Sequence, residues 1–218
     1  MKTIIRKLEG KQSSDNKNEI EDEMNEMDFL QLVLHEMNNK TFHLVGTFDE
    51  EQLRKFKDFS SNLYFYEDDP NPIIQIRISS CGGQINVLLG MLSVIEDLKR
   101  LWGCKVHCHI DGYAFSCGAL LFLIASDIRT MNEYSQLMMH EMSYGINDNL
   151  NGHRAELLYT EKLQKRIDKM IENNTGLSLK VLNKWYKQGD VYLFKEDMEK
   201  LGILTEEMKN EDRGNGEQ

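Results

Sequence analysis

At 218 residues the chain is long enough for one large domain or a domain with appendages, and long enough to bury a substantial core. Hydrophobic residues make up 40% and charged residues 28%, the balance of a soluble globular protein. A formal net charge of -10 excludes the basic footprint that general nucleic-acid binding needs, while leaving an acidic surface open to basic segments of a partner.

Residues 1 to about 27 are polar and charged, with an acidic block from Glu19 to Glu23, and read as a mobile or partner-dependent arm. A short amphipathic helix is expected from Phe29 to Met37. Thr41 to Phe48 reads as a strand. Asp49 then caps a helix from Glu50 to about Tyr66, which the run Glu67 to Pro72 breaks. Ile73 to Ser79 alternates apolar and polar residues, as a strand does. After Gly82 and Gly83, the segment Gln84 to Arg100 is apolar nearly all round and is expected as a buried helix. Lys105 to Ile110 is a strand, Ser116 to Ala125 an apolar helix, and two short strands follow near Ile128–Met131 and Gln136–His140. A long amphipathic helix spans Asn151 to Asn173, stopped by the run Asn173 to Gly176. Short helices around Ser178–Tyr186 and Lys195–Leu201 close the body, and the end of the chain, 205–218, is a charged tail. Repeated strand-helix-strand units imply an α/β fold with a mainly parallel sheet.

Four cysteines occur, Cys81, Cys104, Cys108 and Cys117, with no apolar signal-like run at the start and no stretch of roughly 18 apolar residues to cross a membrane. Free thiols in a reducing, cytoplasmic setting are therefore expected. The run from Cys104 to His109 resembles a metal-ligand cluster. Strand alternation would instead put Cys104 and Cys108 on one face and His107 and His109 on the other, so no metal is expected.

The candidate chemistry lies at strand ends. Ser116, in the segment Gly112-Tyr-Ala-Phe-Ser116-Cys-Gly118, sits where a strand meets a helix, and free N–H groups there favour negative charge. Taken alone it reads as a helix N-cap. Gly82 and Gly83 could turn N–H groups toward a ligand oxygen, or simply make a tight turn. His140 ends a strand, and Asp190 follows Gly189 before an apolar run. Each has an ordinary structural reading when taken alone.

The order of these elements resembles the ClpP family, from about Lys40 to Leu204. The matching segments are Ser80-Cys-Gly-Gly83, Gly112 to Leu121, Met138-Met-His140, Asp190-Val-Tyr192 and Leu201-Gly-Ile-Leu204. The resemblance implies a ClpP/crotonase-like ββα superhelix whose protruding handle helix covers about residues 151–173. It makes Ser116 the nucleophile, His140 its base and Asp190 the residue that orients the imidazole, with backbone N–H groups of Gly83 and Cys117 as the oxyanion hole. It also implies a serine endopeptidase acting on unfolded polypeptides inside a homo-oligomer, with heptameric rings stacked in pairs. An AAA+ unfoldase partner would be the only user of ATP, and no cofactor is expected.

The sequence departs from the family pattern at Cys81, at Cys117 and from Glu141 to Tyr144, as a phage or mobile-element member would. The alternative is a catalytically inactive ClpP-like subunit that contributes structure or binds partners. A third reading is an acyl-CoA hydratase or isomerase on the same superhelix. Should Asp190 not serve, Asp148 or Asp168 are the other carboxylates, Asp168 being disfavoured by the charged, solvated face of its helix.

Overall fold

The computed structural model describes residues 40–63, 72–143, 145 and 149–205. The expected arm, the Phe29–Met37 helix, the tail from residue 206 and Asp148 lie outside the described residues.

Among the described residues six strands form one sheet: β1 (Thr41–Phe48), β2 (Ile73–Gly83), β3 (Lys105–Phe115), β4 (Ile128–Met131), β5 (Gln136–Met139) and β6 (Val191–Leu193). The order is β1-β2-β3-β5-β6, with β4 also on β3. Because β3 is long, its first half pairs β4 and its last residues pair β5. Every pair is parallel except β5–β6, which is antiparallel. Among the described residues six helices accompany the strands: α1 (Glu50–Ser61), α2 (Ile85–Trp102), α3 (Cys117–Ala125), α4 (Leu150–Thr175), α5 (Leu179–Gln188) and α6 (Lys195–Lys200).

Alternation decides the two faces of the sheet. Leu44, Ile74, Ile76, Ile78, Val106, Cys108 and Ile110 are buried on one face. The other face carries the fork of Arg77 on Asp111, at 2.6 and 2.5 Å, and the rings of His107 and His109, both 2.7 Å from Thr130 Oγ1. Partial burial pushes both imidazoles below their ordinary pKa, and like charge adds to this, from His109 and then Arg77 at His107 and from Arg77 at His109. Cys108 and the two histidines of this strand therefore point opposite ways.

Helix α3 is the centre of the core. Eight of its residues, from Cys117 to Ala125, are buried, and it packs on β2, β3 and α4. Burying each large apolar side chain there contributes about 1.5–3 kcal/mol. Gly118 lets the helix approach β2, since a Cβ at that position would lie 3.3 Å from the Ser80 carbonyl.

Three expectations need correction. Helix α1 ends at Ser61 rather than near Tyr66, because Ser60, Ser61 and Asn62 turn their side chains back onto the carbonyls of Lys57 and Asp58. Helix α2 is not buried all round: Val87, Leu88, Met91, Ile95 and Leu98 form one covered stripe, while Leu101 and Trp102 are exposed. Strand β2 runs past Ser79, since Gly82 and Gly83 still pair with Thr47 and Phe48 of β1. Asp49 caps α1 as expected, its Oδ1 accepting from Gln52 N–H at 2.9 Å.

Candidate active site

The sharp turn from β3 into α3 shapes the site. Ser116 has φ 52 and ψ -118, the only positive φ outside glycine among the described residues. Such a backbone costs on the order of 1–3 kcal/mol and persists only where the surroundings enforce it. Here the Ser116 N–H donates to the Met138 carbonyl of β5 at 3.0 Å. Gly82 lies against the same turn, where a Cβ would come within 2.6 Å of Ser116 Cβ and 2.9 Å of the Phe115 carbonyl. A strained strand-to-helix turn of this kind lifts a serine hydroxyl clear of the backbone.

The hydroxyl makes no capping bond to α3. It lies instead 2.8 Å from His140 Nε2, which the end of β5 presents. His140 Nδ1 is 2.6 Å from the Glu141 carbonyl oxygen. A carbonyl only accepts, so Nδ1 carries the proton and the neutral ring leaves Nε2 as the acceptor of the serine O–H. That is the tautomer a general base needs.

Gly83 and Cys117, expected as the oxyanion donors, line one cavity with Ser116 and His140, of about 210 Å³. Cys117 is the first residue of α3, so its N–H has no partner inside the helix. Its thiol donates to the Gly83 carbonyl at 3.2 Å, and burial pushes the thiol up to about 11. Ile85, Leu120, Met139 and Met142 give the cavity an apolar wall.

Asp190 is exposed, and the partner of His140 Nδ1 is the Glu141 carbonyl rather than this carboxylate. The antiparallel ladder pairs Leu137 with Leu193, Met138 with Tyr192 and Met139 with Val191. The next step of that register is His140 with Asp190. Asp168, expected on a solvated face, is buried: Tyr186 Oη–H donates to its Oδ1 at 2.7 Å and Gln164 Nε2–H at 2.8 Å. Burial and the neighbouring Asp168 raise the Tyr186 pKa well above that of a free phenol. Gln164 and Met142 had no signal in the sequence beyond a charged helix and an irregular loop.

Residues 37–211 match the Clp protease family. The chain belongs to that family. Its mixed α/β architecture, with helices about a central sheet, is the Clp protease fold. The ATP-dependent Clp protease proteolytic subunit 2 of Chlamydia trachomatis serovar D is 33% identical over 121 residues, 54% of this chain and 56% of that protein. Subunit 2 of Chlamydia pneumoniae is 33% identical over 118 residues, 52% of this chain and 55% of its own length. Subunit 1 of Chlamydia felis is 29% identical over 147 residues, covering 65% and 68%. The chain spans just over half the length of the Chlamydia trachomatis protein it matches. Among the described residues no helix is long and apolar enough to cross a membrane.

Proposed function

We propose that the protein is a serine endopeptidase that cleaves unfolded polypeptides, with Ser116 as nucleophile and His140 as general base. The observation that carries this reading is the Ser116 Oγ to His140 Nε2 contact of 2.8 Å, made by a serine whose backbone is strained and whose hydroxyl does not cap its helix. In the reaction, Nε2 takes the hydroxyl proton as Oγ attacks the peptide carbonyl, then passes it to the leaving amine. The developing oxyanion is received by the N–H groups of Gly83 and Cys117, each worth about 3 kcal/mol of barrier.

Asp190 completes the triad by stabilising the imidazolium, a role supported by its position, like that of His140, one residue beyond the Met139–Val191 pair that ends the β5–β6 ladder. Water then releases the acyl group by the same proton path in reverse.

The apolar cavity wall fits a short apolar side chain on the acyl side of the cut bond. The first half of α4 leaves Leu150, Leu157, Leu158 and Tyr159 exposed, Leu158 by 66%. That exposed apolar surface supports homo-oligomeric packing. Membership of the Clp protease family extends the reading to heptameric rings stacked in pairs, a separate AAA+ unfoldase as partner and a cytoplasmic setting. The test is peptide hydrolysis and native mass on one sample. Cleavage of a short apolar peptide by a ring-sized assembly supports the reading, and an assembled but inert protein sinks it.

A further inference from the structure

A partly buried polar network lies beside the site, and the proposed reaction has not used it. Asp168 of α4, only 8% exposed, accepts at Oδ1 from the Tyr186 hydroxyl of α5 and from Gln164 Nε2–H. The same Gln164 amide also reaches the Tyr186 oxygen at 3.1 Å. With its Nε2 end committed to these two groups, the Oε1 end must face the other way. There it accepts the Met142 N–H at 2.8 Å.

The Met142 N–H and the Glu141 carbonyl belong to one peptide unit. That carbonyl is the acceptor of His140 Nδ1–H, at 2.6 Å. Because a peptide unit is planar, holding its N–H also sets the direction of its C=O. Residues 141–143 lie outside any helix or strand, and Glu141 and Ser143 are exposed, so little else around them holds the unit in place.

We infer that Gln164 is a positioning residue that clamps the Glu141–Met142 peptide, so that its carbonyl keeps the His140 imidazole in the tautomer and direction Ser116 requires. Asp168 and Tyr186 orient the clamp. The bonds run in one polarity, from carboxylate through side-chain amide and peptide to imidazole, and each strengthens the next. The kinetic consequence rests on the peptidase reading, whereas the clamp itself rests on geometry alone.

The test uses the full-length chain and two readouts. Amide exchange followed by mass spectrometry finds Met142 N–H protected in the parent and unprotected in Gln164→Leu. Fluorophosphonate labelling of Ser116 slows about tenfold to a hundredfold in Gln164→Leu, as for a base moved off its line. Peptide KM stays within about twofold, so kcat carries the loss. Joining Gln164→Glu to Asp168→Asn exchanges the donor and acceptor ends along the helix while leaving an acceptor for Met142. This swap restores labelling to within about threefold of the parent. A merely structural role would follow the melting temperature and not this recovery.

Parental labelling by a folded Gln164→Leu overturns the clamp. Fast exchange of the Met142 amide in the parent overturns it too, and needs no variant to fold. A protected Met142 amide in a parent that takes no label at Ser116 would leave the clamp standing and defeat the peptidase reading instead.

Discussion

Ser116 is held almost wholly by main chain, whereas His140 depends on one peptide unit tied down by side chains from two other helices. On the serine side, the Met138 carbonyl takes the Ser116 N–H, Gly82 leaves no room behind the turn, and α3 beneath is buried along its length. On the histidine side, β5 stops at Met139 and the ring's second nitrogen finds the Glu141 carbonyl, steadied through Gln164. A nucleophile set by backbone strain cannot drift without unfolding the core. A base hung on an irregular segment can be lost while the fold survives.

Removing either partner has the largest effect. Ser116→Ala should lower peptide hydrolysis by roughly a millionfold, to background, and His140→Ala should do nearly the same, as for other triads. Both should keep the parent's native mass and melting temperature. A large drop in stability in either would mean the pair was structural.

Gly82→Ala probes the rigid side. Its Cβ would meet Ser116 Cβ at 2.6 Å on a backbone with φ 95, so activity and fold should suffer together. The expected loss of stability is about 1–3 kcal/mol, read by denaturant unfolding. Wild-type stability would show that the serine turn is looser than its contacts imply.

Asp190→Asn probes the histidine side. A triad whose ring loses its tautomer falls about ten-thousandfold. Here the Glu141 carbonyl keeps the proton on Nδ1, so only the charge stabilisation of the imidazolium is removed. We expect kcat to drop about a hundredfold at unchanged melting temperature. A ten-thousandfold drop would mean that the carbonyl does not hold the ring during turnover.

The smallest effect concerns the thiols on either side of Gly82. Cys81 is exposed, whereas Cys117 is buried and raised to about 11. At pH 8 only about one Cys117 in a thousand is thiolate. Iodoacetamide should therefore modify Cys81 and spare Cys117, with little change in activity. Rapid modification of Cys117 would show that the turn opens.

The same contrast explains what the sequence made legible. Strands β2 and β3 follow from period-2 alternation, and α3 from its unbroken apolar run, because burial alone dictates them. Ser116, Gly83 and Cys117 were singled out by the resemblance of their order to the ClpP family, since the junction and its glycines taken alone read as an N-cap and a tight turn; the fold adds that all three line one cavity with His140. The positive φ of Ser116 and its freedom from capping could not be read, since both depend on β5 and on Gly82 packing behind it. Asp168 was misplaced because it shares its helix with many solvated charges. Only the fold brings Tyr186 and Gln164 to cover it. The three residues of β6 were too few for a pattern, yet they carry the ladder whose last pair, Met139 with Val191, stops one residue short of His140 and Asp190.

The account stands or falls on whether the hydroxyl at 116 is activated by the ring at 140. Fluorophosphonate labelling of the intact chain, with the adduct mapped by mass spectrometry, measures this directly. We predict one adduct, on Ser116, absent in Ser116→Ala and formed at least about a thousandfold more slowly in His140→Ala. An adduct on another residue, or undiminished labelling of Ser116 without His140, would contradict it.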